Sequence, residues 1–524
     1  MLIAIMGGWF VTPGKALAQE IAPQAAIDGA GLLPVALLLF WPIGLILLTS
    51  SAMPEDEAPA TAINLFMVWS VAALAYYAVG FAFQFGGIAQ VNPNPDLRGL
   101  YWEWYPLDQS VDLEVARRWG IVALQGWGLT NEATTPGALN LFLTHLSLAG
   151  TAAIIPAAIV RQRSNGLTAL LVGLITGGFI YPVAGNWVWG GGWLSHLGGS
   201  LAWGHGFIDF GGAGVIFLVA SGITLVTLLL FQQAAGAKSK FQATPDHEVV
   251  VVTGSSRRLT VYDESATAAE EAAALSPVPM PSAYLPVLSM LGAGLMLVGW
   301  VGLAGGAQAP TAVNFSASYA TTNGLLAALA AAVSAAGYSW FTTQQFNPLM
   351  VSRGLVAGLI VTVAGAPFVP IWICVVVGLL MGLGLPPLIY LFDQGLRRAD
   401  ELGLLATFGV SAIISLLLAA FFADGHAGQG WNGVGPDEFL GVSGQGVSGL
   451  LVESGFGADW PGQLQAQILG LGIILLWTAL VTILLLQTVK AIADAWTRTG
   501  LELAGRTPQP QTRRLETDEP PADS

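Results

Sequence analysis

The sequence predicts an all-α polytopic membrane protein with eleven transmembrane helices, laid out as two inverted five-helix repeats plus a C-terminal helix. Three observations carry this prediction. Only 10% of the residues are charged and 54% are hydrophobic, whereas a soluble chain carries about 25% charged residues. Apolar runs of the roughly 20 residues that cross a bilayer recur near 30–50, 60–86, 138–160, 166–186, 208–232, 284–304, 317–339, 353–370, 371–393, 402–423 and 464–491. A polar linker, 234–283, divides the first five runs from the rest, and an odd number of spans per half inverts the second half relative to the first. The halves also echo each other: Asp209 precedes Phe217, and Asp400 precedes Phe408, by the same eight residues.

The net charge of −14 lies mostly in loops and tail and points to no nucleic-acid partner. The lone cysteine, Cys374, excludes an internal disulfide and any cysteine-based metal site. No motif calls for a metal or a cofactor, and none suggests an enzyme.

Taken in order, residues 1–18 form an apolar stretch ending Ala16, Leu17, Ala18, which reads as a signal peptide. The membrane domain follows over 25–495. Its weakest division is 364–370, where GAPFVP has to turn the chain between two helices. Arg161, Arg163, Lys238, Lys240, Arg257, Arg258, Arg353, Arg397, Arg398, Lys490, Arg498 and the later arginines fall on one side of the spans, against Arg98, Arg117 and Arg118 on the other. The positive-inside rule then places the mature N-terminus outside and the C-terminus in the cytoplasm, with Arg353, Arg397 and Arg398 as markers of topology at helix ends. Within the linker, EVVVVTGSSRRLTVYD alternates as a small hairpin would. The tail, 496–524, is Pro-rich and charged and reads as disordered. Two long outside loops, 89–137 and 424–463, hold enough aromatics and glycines to fold as a cap.

One stretch concentrates the chemistry. Between Ile180 and Ser221 the chain places Trp187, Trp189, Trp193 and Trp203 among glycines, followed by a single carboxylate, Asp209. Indole faces attract a cation once water is partly removed. Tyr181, Pro182, Trp187, Val188, Trp189, Gly191, Gly192 and Trp193, and then Ile208, Asp209, Phe210, Gly212 and Val215, together resemble the fourth- and fifth-helix elements of the ammonium transporter/Rhesus channel family. The resemblance implies a homotrimer in the cell membrane that takes ammonium at an outer aromatic site. It also implies a phenylalanine gate and two histidines sharing protons in the bore.

Carried over position by position, the resemblance is mixed. The outer-site tryptophans fall on Trp189 and Trp300, but the outer-site serine falls on Ala307. The gate phenylalanines fall on Leu148 and Leu303. The two histidine positions fall on Phe217 and Phe408, so a histidine relay has no titratable nitrogen there, and the two rings are expected to meet across the bore. The five histidines of the chain, His145, His196, His205, His247 and His426, do not restore the pair and read as solvated or locally hydrogen-bonded groups.

Asp209 has two readings: it caps a helix N-terminus by bonding free backbone N–H groups, or it contacts the cation. That intramembrane acids usually keep a fixed partner favours the first. Gly354 and Gly358 in SRGLVAGLI allow close helix approach; the arginine there departs from the family pattern. The tail also departs from the one that docks a PII-type regulator. Three readings of function remain open: an ammonium or ammonia channel, a non-conducting sensor or structural subunit, and a channel for a neutral gas.

Overall fold

The computed structural model describes residues 32–106, 112–230, 281–306, 314–395, 400 and 402–503. The signal-peptide reading, the hairpin in the linker, Ala307, Arg397, Arg398 and His247 lie outside the described residues. Among the described residues, ten helices are long and apolar enough to cross a membrane: α1 Leu32–Ser50, α2 Ala58–Gln90, α3 Pro136–Arg163, α4 Gly166–Trp189, α5 Ala213–Leu230, α6 Ser282–Gly306, α7 Ala317–Thr343, α9 Ile371–Gln394, α10 Leu405–Phe422 and the apolar part of α11, Gly462–Val489. Between α7 and α9 lies the shorter α8, Pro348–Ile360. The run expected as a single span over 353–370 therefore divides: the thirteen-residue α8, about 20 Å long at 1.5 Å per residue, ends within it at Ile360, and 361–369 continues as turns. The helix of α11 itself runs on to Leu503, past the tail boundary expected at 496.

Local sequence explains these limits. α3 starts at Pro136 behind Thr135, whose hydroxyl accepts from the N–H of Ala138, a serine/threonine cap with proline in the first turn. It is apolar on every side and almost wholly buried, the mark of a helix central to a bundle. Small residues set how closely its neighbours approach. A Cβ added at Gly354 would lie 2.6 Å from that of Ala335, and Gly358 likewise abuts Ala331 and Ala327 on α7, so this pair does permit the close packing its spacing suggested.

α5 begins five residues later than its apolar run because Gly212 adopts a φ of +91°, open to glycine and costly for most residues. Asp209 caps the helix that follows. The second half repeats the arrangement: Asp400, then Gly403 at φ +63°, then the start of α10. In both helices the first turns are wide, over Ala213–Leu218 and Leu405–Val410, and these turns carry Phe217 and Phe408.

The described parts of the two long loops form a cap at one end of the bundle. Each holds a short antiparallel pair, β1 Glu103–Trp104 with β2 Val122–Ala123 and β3 Glu438–Phe439 with β4 Val442–Ser443. The cap packs on the α4–α5 connection: Asn432 Nδ2 donates to the carbonyl of His205 at 2.8 Å, and Gln463 Nε2 to that of Gly206 at 2.9 Å.

The Glu103 carboxyl is buried in this cap against Gly87 and Gly120, with Asn186 Nδ2 at 3.4 Å and no partner for Oε1 among the described residues. Burial pushes its pKa up to about 8, and the bond from Asn186 lowers it only in part. Between pH 4.5 and 8 the unfolded chain releases a proton that the folded chain keeps, so this group's contribution is full below 4.5 and is lost as pH rises through 8. Glu103→Gln is expected to match the wild-type melting temperature near pH 5 and exceed it above pH 8. The gain is a few kcal/mol at most, one pKa unit being about 1.4 kcal/mol. Parallel melting curves in detergent at both pH values check it; equal curves at pH 8.5 would refute it.

Candidate functional site

The sequence places Trp189 at the last turn of α4, and the fold ties it to the start of α5. Its indole N–H donates to the carbonyl of Asp209 at 2.8 Å. The Asp209 carboxylate is consumed locally: Oδ1 accepts from the N–H of Gly212 at 3.0 Å, and Oδ2 from Gly214 at 2.9 Å and Val215 at 3.0 Å. Asp400 is used in the same way, accepting from Leu404 at 2.9 Å and Leu405 at 2.8 Å. Both geometries are those of helix caps.

Segment 209–212 runs between the two tryptophans. On one side the Trp189 ring lies 3.2 Å from the position of a Cβ on Gly212. On the other, Phe210 meets Trp300 edge to face at 6.3 Å, and the Trp300 N–H donates to the carbonyl of Thr321 at 3.2 Å. Leu303, one turn beyond Trp300, is 3.2 Å from a Cβ on Gly211. Leu148 lies on α3 one turn after His145, whose ring is 5.2 Å from that of Trp189. All four side chains are buried; Trp189 is 2% exposed and Trp300 is 0%. Neither indole forms an open mouth in this conformation, so a cation reaches their faces only if neighbouring side chains move.

Phe217 and Phe408 meet as nearly parallel rings, centroids 5.8 Å apart at 16°. A third ring, which the sequence reading missed, continues the column. Trp41 of α1 lies 6.0 Å from Phe217 and 6.4 Å from Trp300. It is fully buried, and its N–H has no partner among the described residues. A tryptophan before Pro42 in the first apolar run was the available signal, but nothing local says which face of α1 turns inward. The column Trp300–Trp41–Phe217–Phe408 contains no titratable group.

Two of the histidines, His145 and His205, are corrected by the fold, which buries both. His145 is not solvated: its Nδ1 lies 3.0 Å from the Tyr181 hydroxyl and 3.3 Å from Gln84 Nε2, and Gln84 accepts in turn from Tyr76 at 2.9 Å. An amide N–H can only donate, so the ring proton rests on Nε2, which is buried without a partner among the described residues. His205, expected in a solvated loop, is buried against Phe439 with ring centroids 4.4 Å apart, and burial pulls its pKa down to about 4. His196 is also drawn to about 4, by burial first and the charge of Arg118 second. His426 behaves as the sequence suggests, exposed and 2.6 Å from Glu453.

Arg353 is the other correction. It is no exposed marker at a helix end but is 8% exposed inside α8, because the short α8 lies within the bundle. Among the described residues no group of three or more metal-ligating side chains occurs.

A bundle of long apolar helices, with two capped half-turns meeting at its centre around a ring column, defines a multi-pass membrane protein. The sequence profile of the Ammonium Transporter Family matches residues 31–256 and 282–498, and the chain belongs to that family. It is 26% identical over 432 residues to the ammonium transporter Amt2 of Archaeoglobus fulgidus, covering 82% of this chain and 78% of that one. It is 24% identical over 365 residues to an ammonium transporter of Aquifex aeolicus, covering 70% and 68%. Among solved structures, a Sensor Amt Protein superposes with a TM-score of 0.61 at 18% identity, over 89% of this chain and 93% of that one. Mep2 of Saccharomyces cerevisiae does so with 0.60 at 18%, over 89% and 88%. At such identities the superpositions establish the shared fold.

Proposed function

We propose that this protein carries ammonia across the cell membrane as a neutral species, drawn from ammonium near Trp189 and Trp300 and passed along the apolar column at Phe217 and Phe408. The observation that carries this reading is the stacked phenylalanine pair. Moving a bare charge through hydrocarbon costs tens of kcal/mol by the Born argument, and the column offers no group to take a proton. Leu148 and Leu303 act as its apolar outer gate. Asp209 and Asp400 hold the two half-turns in shape rather than touching the substrate.

The same reading includes a homotrimer, an orientation with the cap and mature N-terminus outside and the linker and tail in the cytoplasm, and two inverted repeats related by the Asp–Gly–Phe arrangement of α5 and α10. No PII-type regulator is part of it. The test is ammonia entry into vesicles containing the purified protein, followed by internal pH. Entry above that of empty vesicles supports the proposal, and its absence favours a second reading. That reading is a non-conducting sensor or structural subunit, in which the closed column with Trp41 wedged beside Phe217 is the permanent state.

For the outer site, Trp189→Ala is expected to weaken methylammonium or ammonium recognition by about 0.5–2 kcal/mol, the usual worth of a cation over an indole. Competition of methylammonium with ammonia entry measures it. Unchanged competition in the Trp189→Ala/Trp300→Ala protein would remove both residues from the site.

A further inference from the structure

Three segments at the cap end of the bundle enclose an open-sided cavity of about 400 Å³ that neither the outer tryptophans nor the ring column lines. Pro93, Glu114, Arg117 and Arg118 come from the first long loop, His196 from the α4–α5 connection and Val434 from the second long loop. The volume falls in the range of about 300–1,000 Å³ usual for small-molecule sites.

The charges of the lining do not balance. Two arginines stand against one glutamate, a net charge of +1. His196 adds none at neutral pH, because burial first, and then the charges of Arg118 and Arg117, draw its pKa down to about 4. That both arginine charges act on this ring puts them beside the wall it forms.

Arg118 is held in place while keeping donors free. Its Nη1 donates to the carbonyl of Gly199 at 2.7 Å, and its Nη2 lies 3.6 Å from Glu114 Oε1, an ion pair too long to be a hydrogen bond. Most of its five N–H groups are therefore left to solvent or to a ligand. Among the described residues no carboxylate comes within 4.0 Å of Arg117. An arginine fork matches the two oxygens of a carboxylate, and Pro93 and Val434 give the same cavity apolar walls.

We propose that this cavity binds a small organic monocarboxylate, its oxygens held by Arg117 and Arg118 and its apolar body resting on Pro93 and Val434. One negative charge balances the lining, and two arginines disfavour ammonium or any other cation here. This site is separate from the transport reading and does not depend on it, since binding is measured without any flux.

The test uses the full-length protein in detergent, with benzoate as the probe and titration calorimetry at constant ionic strength. Saturable benzoate binding is expected. Arg117→Gln is expected to weaken it about tenfold or more, the worth of a hydrogen bond to a charged group. Glu114→Gln is expected to act in the opposite direction and tighten it about two- to fivefold, because it removes a like charge and releases Arg118 from an exposed ion pair. A purely structural role for these side chains would not give opposite signs. Glu114 is exposed, with 74% of its side chain open to solvent, so this variant serves if Arg117→Gln does not fold. Crystals soaked in 4-bromobenzoate are expected to show anomalous bromine density in the cavity. Inorganic phosphate, which has no apolar body, is expected to bind more weakly than benzoate. Absence of benzoate binding, an affinity unchanged in both variants, or phosphate binding as tight as that of benzoate would overturn the proposal.

Discussion

Asp209→Ala is expected to be the most damaging single substitution in the chain, lowering stability by about 3–5 kcal/mol. The carboxylate is 1% exposed and accepts three backbone N–H bonds at 2.9–3.0 Å. Each donor left buried and unpaired costs about 1–3 kcal/mol, with some relief where the first turn of α5 relaxes. The carbonyl of the same residue anchors Trp189, so loosening this turn also frees the indole. Asp209→Asn keeps one acceptor oxygen and is expected to fall between the alanine variant and the wild type. Melting temperature and monodispersity after extraction measure the series. A wild-type melting curve for Asp209→Ala would show that the amides find other partners and that the cap is dispensable.

The second large effect concerns charge. The wild-type protein is expected to carry no ammonium-dependent current in vesicles under conditions where ammonia entry is seen. Phe217 and Phe408 are stacked at 5.8 Å, a contact worth about 0.5–1.5 kcal/mol beyond burial, and neither ring can accept a proton. Replacing both by histidine is expected to introduce two groups titrating near neutral pH and a current that grows with ammonium. Histidine is smaller than phenylalanine, so the exchange also relieves the contact with Trp41, 6.0 Å from Phe217. Phe217→Ala/Phe408→Ala separates the two effects, since it makes room without supplying a proton acceptor and is expected to raise ammonia entry with no current. A robust ammonium current from the unmodified protein, abolished by Trp189→Ala, would sink the neutral-species reading.

Much of the site was legible because its signals are local. An aspartate followed three residues later by glycine, and eight residues later by phenylalanine, occurs at the start of both α5 and α10. Each part has a local reason: a cap, a positive φ, and a ring carried by the wide first turns. The same holds for Trp189, which is fixed by the end of its helix. Trp41, His145 and Arg353 were missed or misplaced because their meaning depends on partners far along the chain. His145 is defined by Gln84 and Tyr181, and Trp41 by Trp300 and Phe217.

By itself, the sequence determined that this is a multi-pass helical membrane protein, that its halves share one aspartate-to-phenylalanine spacing, and that no histidine occupies either central position. Run length, charge deficit and spacing along the chain suffice for these, since a helix in lipid must satisfy its own backbone wherever its neighbours lie. Only the tertiary structure decided that α8 ends after thirteen residues and buries Arg353, that a tryptophan from α1 completes the ring column, and that His145 and His205 are enclosed rather than solvated. In helices apolar on nearly every face, periodicity does not say which side turns inward, and that choice is made by packing between segments distant in sequence.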